Sequence, residues 1–184
     1  MDVTGFRRLM GHWATGVSVI TAEGETGPAG ATANALTSLS LTPPLVLVCF
    51  NLSSRTLSAV RESERFCINV LAAEQESVSR LFATKKSQEE KFGEIAYRLE
   101  HGAPIIDNTL AWLVCTLDSE LRRGDHVVAI GQVVEGEFDV TAQPLLFYRA
   151  SYLTMADAQV VADREAAAPE PPGGQPPRSA NVTS

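Results

Sequence analysis

Residues 30–56 read GATANALTSLSLTPPLVLVCFNLSSRT and join a polar segment, an apolar segment and a helix start. The apolar part, PLVLVCF at 44–50, is a continuous run of strand length, which predicts a strand covered on both faces. The polar part before it is rich in β-formers and predicts another strand. NLSSRT, at 51–56, leads into a helix-like segment with apolar residues at helical spacing. The run therefore predicts two strands and a helix, with polar side chains crowded where the second strand ends.

The remaining segments predict several strands and few helices. Helical spacing predicts helices at residues 3–12, 55–64 and 74–82. Strand patterns occur in GVSVITA (16–22), RFCINVL (65–71), LAWLVCTLDSELRRGDHVVAIGQVVEGEFDV (110–140) and PLLFYRASY (144–152). The segment 110–140 predicts two strands joined by a polar turn at 118–125, with a further turn near Gly136. TKKSQEEKFGE, at 84–94, predicts a mobile charged loop. Many strands at hairpin spacing favour an antiparallel barrel over a parallel sheet.

Composition limits the classes of protein to consider. A chain of 184 residues suits one domain, and its 45% hydrophobic content is enough for a core. The net charge of -7 argues against a nucleic-acid binder. No apolar run approaches the ~20 residues of a membrane span, and the first 16 residues lack a secretory signal. The cysteines all lie in apolar runs, as buried thiols in a reducing compartment do. We therefore expect a cytoplasmic protein.

The character of the sequence changes at residue 165. The segment EAAAPEPPGGQPPRSANVTS, at 165–184, holds five of the ten prolines and little that can pack. Such composition is typical of disorder. The sequence therefore predicts a folded domain over residues 1–164 and a disordered proline-rich tail over 165–184.

The junction at 51–56 has the residue types of an anion site. Ser53, Ser54 and Thr56 are all helix N-cap types, and the first turn of a helix offers free backbone N–H groups and a positive dipole end. Phosphate binds at such ends, and Arg55 adds a planar cationic donor array. The simpler interpretation is an ordinary cap with surplus serines and a solvated arginine.

Two further places carry candidate functional side chains. The polar segment holds Thr32, Asn34, Thr37, Ser38 and Ser40, which suit either a solvated strand face or the lining of a pocket for a planar heterocycle. His126 opens a strand after a polar turn, and it is either structural or placed to reach a ligand. Its neighbour Asp125 need not touch it, because adjacent strand residues point to opposite faces. No glycine-rich dinucleotide fingerprint, Walker motif or nucleophile elbow is present in the sequence.

Five motifs, taken in order, identify a family resemblance. They are FRRLMGHWATGVSVITA (6–22), GATANALTSLSLTPPLVLVCFNLSSRT (30–56), FCINVLA (66–72), GDHVVAIGQVV (124–134) and PLLFYRASY (144–152). Together they resemble the short-chain flavin reductases, the NAD(P)H-dependent partners of two-component flavin monooxygenases. One motif alone is weakly specific, but five in this order and spacing are strongly specific. The resemblance covers about residues 5–153.

This resemblance implies a mainly β split barrel with an FMN-binding fold and a few flanking helices, assembled as a homodimer with flavin near the interface. By the resemblance, the isoalloxazine and ribityl chain lie against Thr32, Ala33, Asn34, Ser38 and Ser40. The phosphate is held by Asn51, Ser53, Ser54, Arg55 and Thr56. Lys91 and Phe92 match a pair near the flavin, and His126 matches a histidine near the nicotinamide. Tyr148 and Tyr152 fall in the family's closing strand.

The implied activity is hydride transfer from NADH or NADPH to FAD or FMN, after which reduced flavin leaves for a separate monooxygenase. The protein supplies orientation and electrostatics, and no metal is implied. The alternatives are a related split-barrel enzyme, such as a pyridoxamine-phosphate oxidase or a haem-handling protein, and a non-catalytic flavin-binding module. The sequence leaves open FAD against FMN and NADH against NADPH.

Overall fold

The computed structural model describes residues 1–155, so the predicted boundary at 164 and the tail lie outside the described residues. The α-helices are α1 (Val3–Met10), α2 (Arg55–Ser63), α3 (Glu76–Ala83) and α4 (Gln88–Gly93), and a 3-10 turn at Ala73–Gln75 precedes α3. The strands are β1 (Thr15–Gly16), β2 (Ser18–Gly24), β3 (Gly27–Ala33), β4 (Leu36–Leu41), β5 (Pro44–Asn51), β6 (Arg65–Val70), β7 (Tyr97–Glu100), β8 (Ala103–Ile106), β9 (Ala111–Arg123), β10 (His126–Phe138), β11 (Leu146–Tyr148) and β12 (Ser151–Leu153). None of the helices within residues 1–155 has the length and apolar character needed to cross a bilayer.

The main sheet is antiparallel and has the strand order β3-β2-β6-β9-β10-β5-β4. Its two outer strands, β3 and β4, are consecutive in the chain, with only Asn34 and Ala35 between them. The sheet must therefore curl until its two edges meet at this link. Beyond the link β3 and β4 do not pair, so the barrel stays open along one side. This is the predicted split barrel.

Two cores hold the barrel and its helices together. The barrel interior is filled by buried residues of six strands, among them Ile20, Val48, Phe66, Cys115 and Val127. From α2, Leu57 and Val60 pack into this core. A second core lies under α3 and α4, where the rings of Phe82 and Phe92 meet edge to face at 5.2 Å. The helices therefore extend the barrel on one side.

Four local predictions were wrong. The turn predicted at 118–125 is only two residues long, because β9 extends to Arg123 and β10 begins at His126. The predicted loop at 84–94 contains α4, in which Ser87 caps the helix and Glu90 bonds back to the Ser87 N–H. Gly136 is not in a turn but inside the 13-residue strand β10. The predicted closing strand at 144–152 is a hairpin, since β11 and β12 are separated by Arg149 and Ala150. The β7–β8 hairpin has no counterpart among the sequence-based predictions.

Several apolar residues expected in the core are exposed in the single chain. In α1, Phe6, Leu9 and Met10 share the predicted helical face, yet no residue of this helix is buried. The apolar strand β5 is buried on one face only, because Leu47 and Cys49 on its other face stay partly exposed. The expectation that β5 is covered on both faces is therefore not met within one copy of residues 1–155.

We predict that Gly131→Ala destabilises the barrel by about 1–3 kcal/mol, the usual effect of an added methyl in a packed core. Gly131 is buried in β10, and an added Cβ would lie 2.4 Å from Phe66 Cζ and 2.9 Å from Cys115 Cβ. Chemical denaturation of wild type and variant measures the effect. Gly93→Ala is the control, because a Cβ there meets nothing within 4 Å. Equal stability of Gly131→Ala and wild type would contradict the packing argument.

Candidate functional site

The junction between β5 and α2 is built as a helix start with spare donors. Ser54 has extended backbone and is the N-cap of α2, with its Oγ accepting a 3.4 Å hydrogen bond from the Leu57 N–H. Asn51 Oδ1 accepts hydrogen bonds from both the N–H (3.0 Å) and the hydroxyl (2.7 Å) of Ser53. The cap takes only one of the N–H groups in the first turn, so this end can still bind an anion.

Thr56 is the most informative residue of this junction. It is only 1% exposed, and its Oγ1 has no hydrogen-bond partner among residues 1–155. A buried hydroxyl without a partner costs about 1–3 kcal/mol, so such groups are uncommon outside functional sites. Thr56 directly follows Ser54 and Arg55 in the first turn of α2. The orphaned hydroxyl therefore fits a ligand atom at the α2 N-terminus.

Strand pairing brings His126 to the same place. Asn51 of β5 lies directly opposite His126 of β10, and residues opposite each other in a sheet share a face. The Leu52 N–H donates to the carbonyl of Asp125 at 3.1 Å, which fixes the junction to the turn before β10. His126, which is exposed, therefore stands beside the polar junction, although 75 positions separate it from Asn51 in sequence.

His126 and Asp125 are in contact, which corrects the expectation from strand geometry. Their Nδ1 and Oδ1 atoms are 2.8 Å apart. Strand β10 begins at His126, so Asp125 belongs to the turn and does not follow the alternation of strand side chains. The hydrogen bond from the imidazole is the main cause that lowers the pKa of the Asp125 carboxyl. An ionised Asp125 accepts a hydrogen bond from the N–H at Nδ1, so Nε2 is the ring nitrogen that can contact a ligand.

Two adjoining cavities, of about 350 and 220 Å³, open beside the link that closes the barrel. Trp13, Thr15, Asn34 and Leu36 line both of them. The larger cavity also reaches Cys49, which lies two residues before Asn51 on the same face of β5. Thr15 Oγ1 is buried and has no hydrogen-bond partner in the described residues. The cavities therefore combine aromatic and apolar walls with polar groups, as sites for planar heterocycles do.

Residues 10–156 match the model of the flavin reductase like domain. The chain belongs to this family. The family predicted from the five motifs is confirmed, and with it the split-barrel fold.

Similar proteins agree with this assignment. The reductase component of a 4-nitrophenol 4-monooxygenase/4-nitrocatechol 2-monooxygenase from Rhodococcus opacus is 38% identical over 152 residues, covering 83% of this chain and 80% of the relative. An NADH-dependent flavin reductase from a Rhodococcus species is 34% identical over 152 residues, covering 81% and 84%. Among solved structures, the NADH:FAD oxidoreductase of Streptomyces globisporus C-1027 with NAD and FAD fragments has a TM-score of 0.80. It is 32% identical and covers 88% of this chain and 96% of its own.

Not every residue expected to contact flavin lies at the junction or the cavities. The Thr32 hydroxyl donates to the Ser79 carbonyl of α3 at 2.6 Å, and the carbonyl of Ala33 accepts from the Ser18 hydroxyl at 2.8 Å. Tyr152 also turns to α3, with its hydroxyl 2.8 Å from Ser79 Oγ. The two contacts of Ser79 hold β3 and β12 against α3, and the Ser18 contact joins β3 to β2.

The other expected contacts are more exposed. Ser38 and Ser40 lie on the edge strand β4, at a bulge in its pairing with β5, where Ser40 is opposite Leu45. The ring of Tyr148 meets His12 edge to face, with centroids 6.3 Å apart. The structure thus brings Asn34 and Asn51 to one face of the barrel, leaves the β4 serines at the edge and sets the two tyrosines on the small sheet with β1.

Lys91 and Phe92 lie in α4 rather than in a loop. Lys91 is only 4% exposed, and its Nζ donates to the Phe82 carbonyl at 3.1 Å. Burial, followed by the nearby charge of Arg55, lowers the pKa of Lys91. No carboxylate among residues 1–155 forms an ion pair with Lys91 or Arg55. Two neighbouring cations without a counter-ion fit an anionic ligand beside the α2 N-terminus.

Some residues of the cavity lining were not predicted from the sequence. Trp13 and Thr15 line both cavities, and Met10 borders the larger one. Both Trp13 and Thr15 belong to the motif FRRLMGHWATGVSVITA, but their roles depend on where the chain folds after α1. The only local indication in the sequence was a tryptophan, Trp13, placed between a predicted helix and a predicted strand.

Proposed function

We propose that this flavin reductase holds the flavin phosphate at the α2 N-terminus and the flavin ring in the cavities beside Asn34. The orphaned hydroxyl of Thr56 carries the proposal, because a ligand oxygen there completes a buried polar group that the described protein leaves unpaired. The uncompensated cations Lys91 and Arg55 support the same placement. The chain then works as the reductase component of a two-component monooxygenase.

The geometry of β5 supports a single extended ligand. Cys49 borders the larger cavity and Asn51 belongs to the junction, and the two residues share a face of the strand. Two residues of a strand span roughly 6.5 Å. A ribityl chain suits this distance, with the ring at the Cys49 end and the phosphate at the Ser54 end. Either FMN or FAD fits, since both carry that phosphate.

The chain's own residues then orient two substrates. A flavin held at the junction and the cavities would supply the acceptor for the hydride of NADH, so the chain's residues need only orient the two molecules. Ser54, Arg55 and Thr56 fix the phosphate end, so that the ring position is defined by the length of the ligand. His126, held by Asp125, stands on the same face and can hydrogen-bond the nicotinamide amide through Nε2. Such positioning converts an encounter of two substrates into an oriented complex.

We also propose that the chain works as a homodimer. The apolar face of α1, formed by Phe6, Leu9 and Met10, is exposed in the single chain, as is Trp13 just after the helix. Leu39 and Leu41 are also exposed on the edge strand β4. The partly exposed face of β5 lies next to β4. A second copy that covers these surfaces also covers β5 on both faces. A cytoplasmic location agrees with the free thiols of Cys49, Cys67 and Cys115.

NADH oxidation with FAD, FMN and riboflavin in turn tests the proposed function. We expect flavin-dependent turnover that does not require a substrate other than NADH or NADPH. A flavin-binding module would bind flavin without turnover. A pyridoxamine-phosphate oxidase would form peroxide from its own substrate in the absence of NADH. Either of these results would overturn the assignment as a reductase.

We predict that His126→Ala leaves flavin affinity nearly unchanged and slows flavin reduction by NADH, or raises the NADH Michaelis constant, by about tenfold. This corresponds to about 1.4 kcal/mol of binding in the transition state or the ground state. Stopped-flow reduction of flavin-loaded protein across NADH concentrations separates the two effects. His101→Ala serves as the control, because the His101 ring stacks on Trp112 and lines neither the junction nor the cavities beside Asn34. An unchanged rate and saturation would make His126 a structural residue.

A further inference from the structure

A basic cleft, separate from the junction and the cavities beside Asn34, lies between α1 and the turn joining β11 to β12. Its volume is about 490 Å³, within the range of small-ligand sites. The polar lining residues are Thr4, Arg7, Arg8, His12 and Arg149. Three arginines thus line one concave space in a chain whose net charge is -7.

None of these three arginines, Arg7, Arg8 and Arg149, forms a salt bridge with a carboxylate in the described part of the chain. By contrast, Arg61, Arg80 and Arg98 each pair with a carboxylate. Arginine is suited to bind phosphate oxygens through two parallel hydrogen bonds. The cleft therefore has the chemistry of a site for a multiply charged phosphate group.

The fold sets these arginines in place through the backbone. The Arg149 N–H donates to the Gly11 carbonyl at 2.9 Å, which ties the turn to the end of α1. Arg149 and Ala150 both have left-handed backbone, with φ of 49° and 61°. Glycine or asparagine usually occupies these positions of a two-residue hairpin turn. On α1, helical spacing puts Arg8 on the side opposite Phe6 and Met10 and puts Arg7 between the two sides, so a second copy on the apolar face leaves Arg8 uncovered.

The cleft lies on the same side of the molecule as the Asp125–His126 pair. Arg7 is one of the positive charges that lower the pKa of Asp125, after the hydrogen bond from His126. Met10, on the same helix, lines the larger cavity beside Asn34. A ligand that reaches both His126 and the cleft therefore has to be extended and to carry its negative charge away from its reacting end. A nicotinamide dinucleotide has this form.

We infer that the cleft of Arg7, Arg8 and Arg149 binds the pyrophosphate of the nicotinamide dinucleotide whose nicotinamide lies by His126. This inference rests on the proposed function, because it assumes that NADH or NADPH is the reductant. It adds a second anchor, remote from the flavin phosphate at Ser54. Because the pyrophosphate is common to both dinucleotides, the cleft recognises NADH and NADPH alike.

The test compares reductants that differ in their phosphate groups. Arg8→Gln, Arg149→Gln and the double variant are assayed with FAD and with NADH, NADPH or reduced nicotinamide riboside, which has no phosphate. We expect each single variant to raise the Michaelis constants for NADH and NADPH about tenfold, as the loss of one charge-assisted hydrogen bond does. The constants for the riboside and the affinity for FAD should stay within twofold of wild type. Lys85→Gln controls for net charge, since Lys85 is exposed and outside the cleft.

Each result has one interpretation. Unchanged Michaelis constants for NADH and NADPH, or an equal rise for the riboside, would overturn the cleft as a pyrophosphate site. A rise for NADPH alone would overturn it in favour of a 2′-phosphate site, and weaker FAD binding with unchanged NADH saturation would move it to the flavin. In all these cases the wild type still reduces flavin. Absence of flavin-dependent NADH and riboside oxidation by the wild type would instead contradict the proposed function itself.

Discussion

Replacing Ser54 and Thr56 together by alanine should weaken FMN and FAD binding at least about a hundredfold while leaving riboflavin within a few-fold of wild type. Each hydroxyl is expected to donate to the phosphate, and a hydrogen bond to a charged group contributes about 1.5–3 kcal/mol. One such bond is worth about one to two decades in affinity, so losing two gives at least a hundredfold. Riboflavin has no phosphate and does not use these groups. Fluorescence titration of the three flavins measures the ratio directly.

Controls separate phosphate recognition from damage to the helix. Ser54 caps α2, and the loss of a cap costs about 1 kcal/mol of stability. Thr56→Val keeps the buried volume and removes only the hydroxyl, so it should retain part of the selective loss with an intact fold. Ser58→Ala removes an exposed hydroxyl one turn later on the same helix and should change nothing. Equal weakening of all three flavins would mean that the junction does not recognise phosphate.

The junction was predictable because its signals are local. A strand run, a cluster of N-cap residues and a helix pattern follow one another in NLSSRT and its neighbours, and Ser54 is the observed cap. The helix α4 was predictable by the same means. Ser87 and Glu90 have the spacing of a capping box, and they make its reciprocal hydrogen bonds. The density of charges in 84–94 hid that signal, because charged residues are common both in loops and on the exposed face of short helices.

The rest of the site depends on contacts distant in sequence. Thr32 looks free for a ligand in the sequence, but its hydroxyl is taken by the carbonyl of Ser79, 47 residues later. His126 stands beside Asn51 only because β10 pairs with β5 in one register. No pattern within β10 specifies that register. It depends on which faces of both strands are buried, and a shift by one residue would expose Val127 and bury His126.

A buried polar network around Asn69 also depends on contacts distant in sequence. Its disruption should have the largest effect on stability that we expect. Asn69 is completely buried in β6. Its Nδ2 donates to the Val19 carbonyl at 3.0 Å and to Thr21 Oγ1 at 2.9 Å. Its Oδ1 accepts from the Ile106 N–H at 2.8 Å, and the Thr21 hydroxyl donates to the Pro104 carbonyl. One side chain thus joins β2, β6 and the β7–β8 hairpin.

Asn69→Ala should lower the free energy of unfolding by about 3 kcal/mol or more. The change leaves the buried N–H of Ile106 and the amide acceptor at Val19 without this partner, and each such loss costs about 1–3 kcal/mol. In a domain of this size the melting temperature should fall by roughly 6–12 °C. Thermal and urea unfolding of the full chain measure both quantities.

Two control variants accompany this test. Thr21→Val, which removes one hydroxyl and keeps the shape, should have a smaller effect, while Gln132→Ala on the exposed side of β10 should have almost none. If Asn69→Ala has the same melting temperature as wild type, this network is not what holds the β7–β8 hairpin against the barrel.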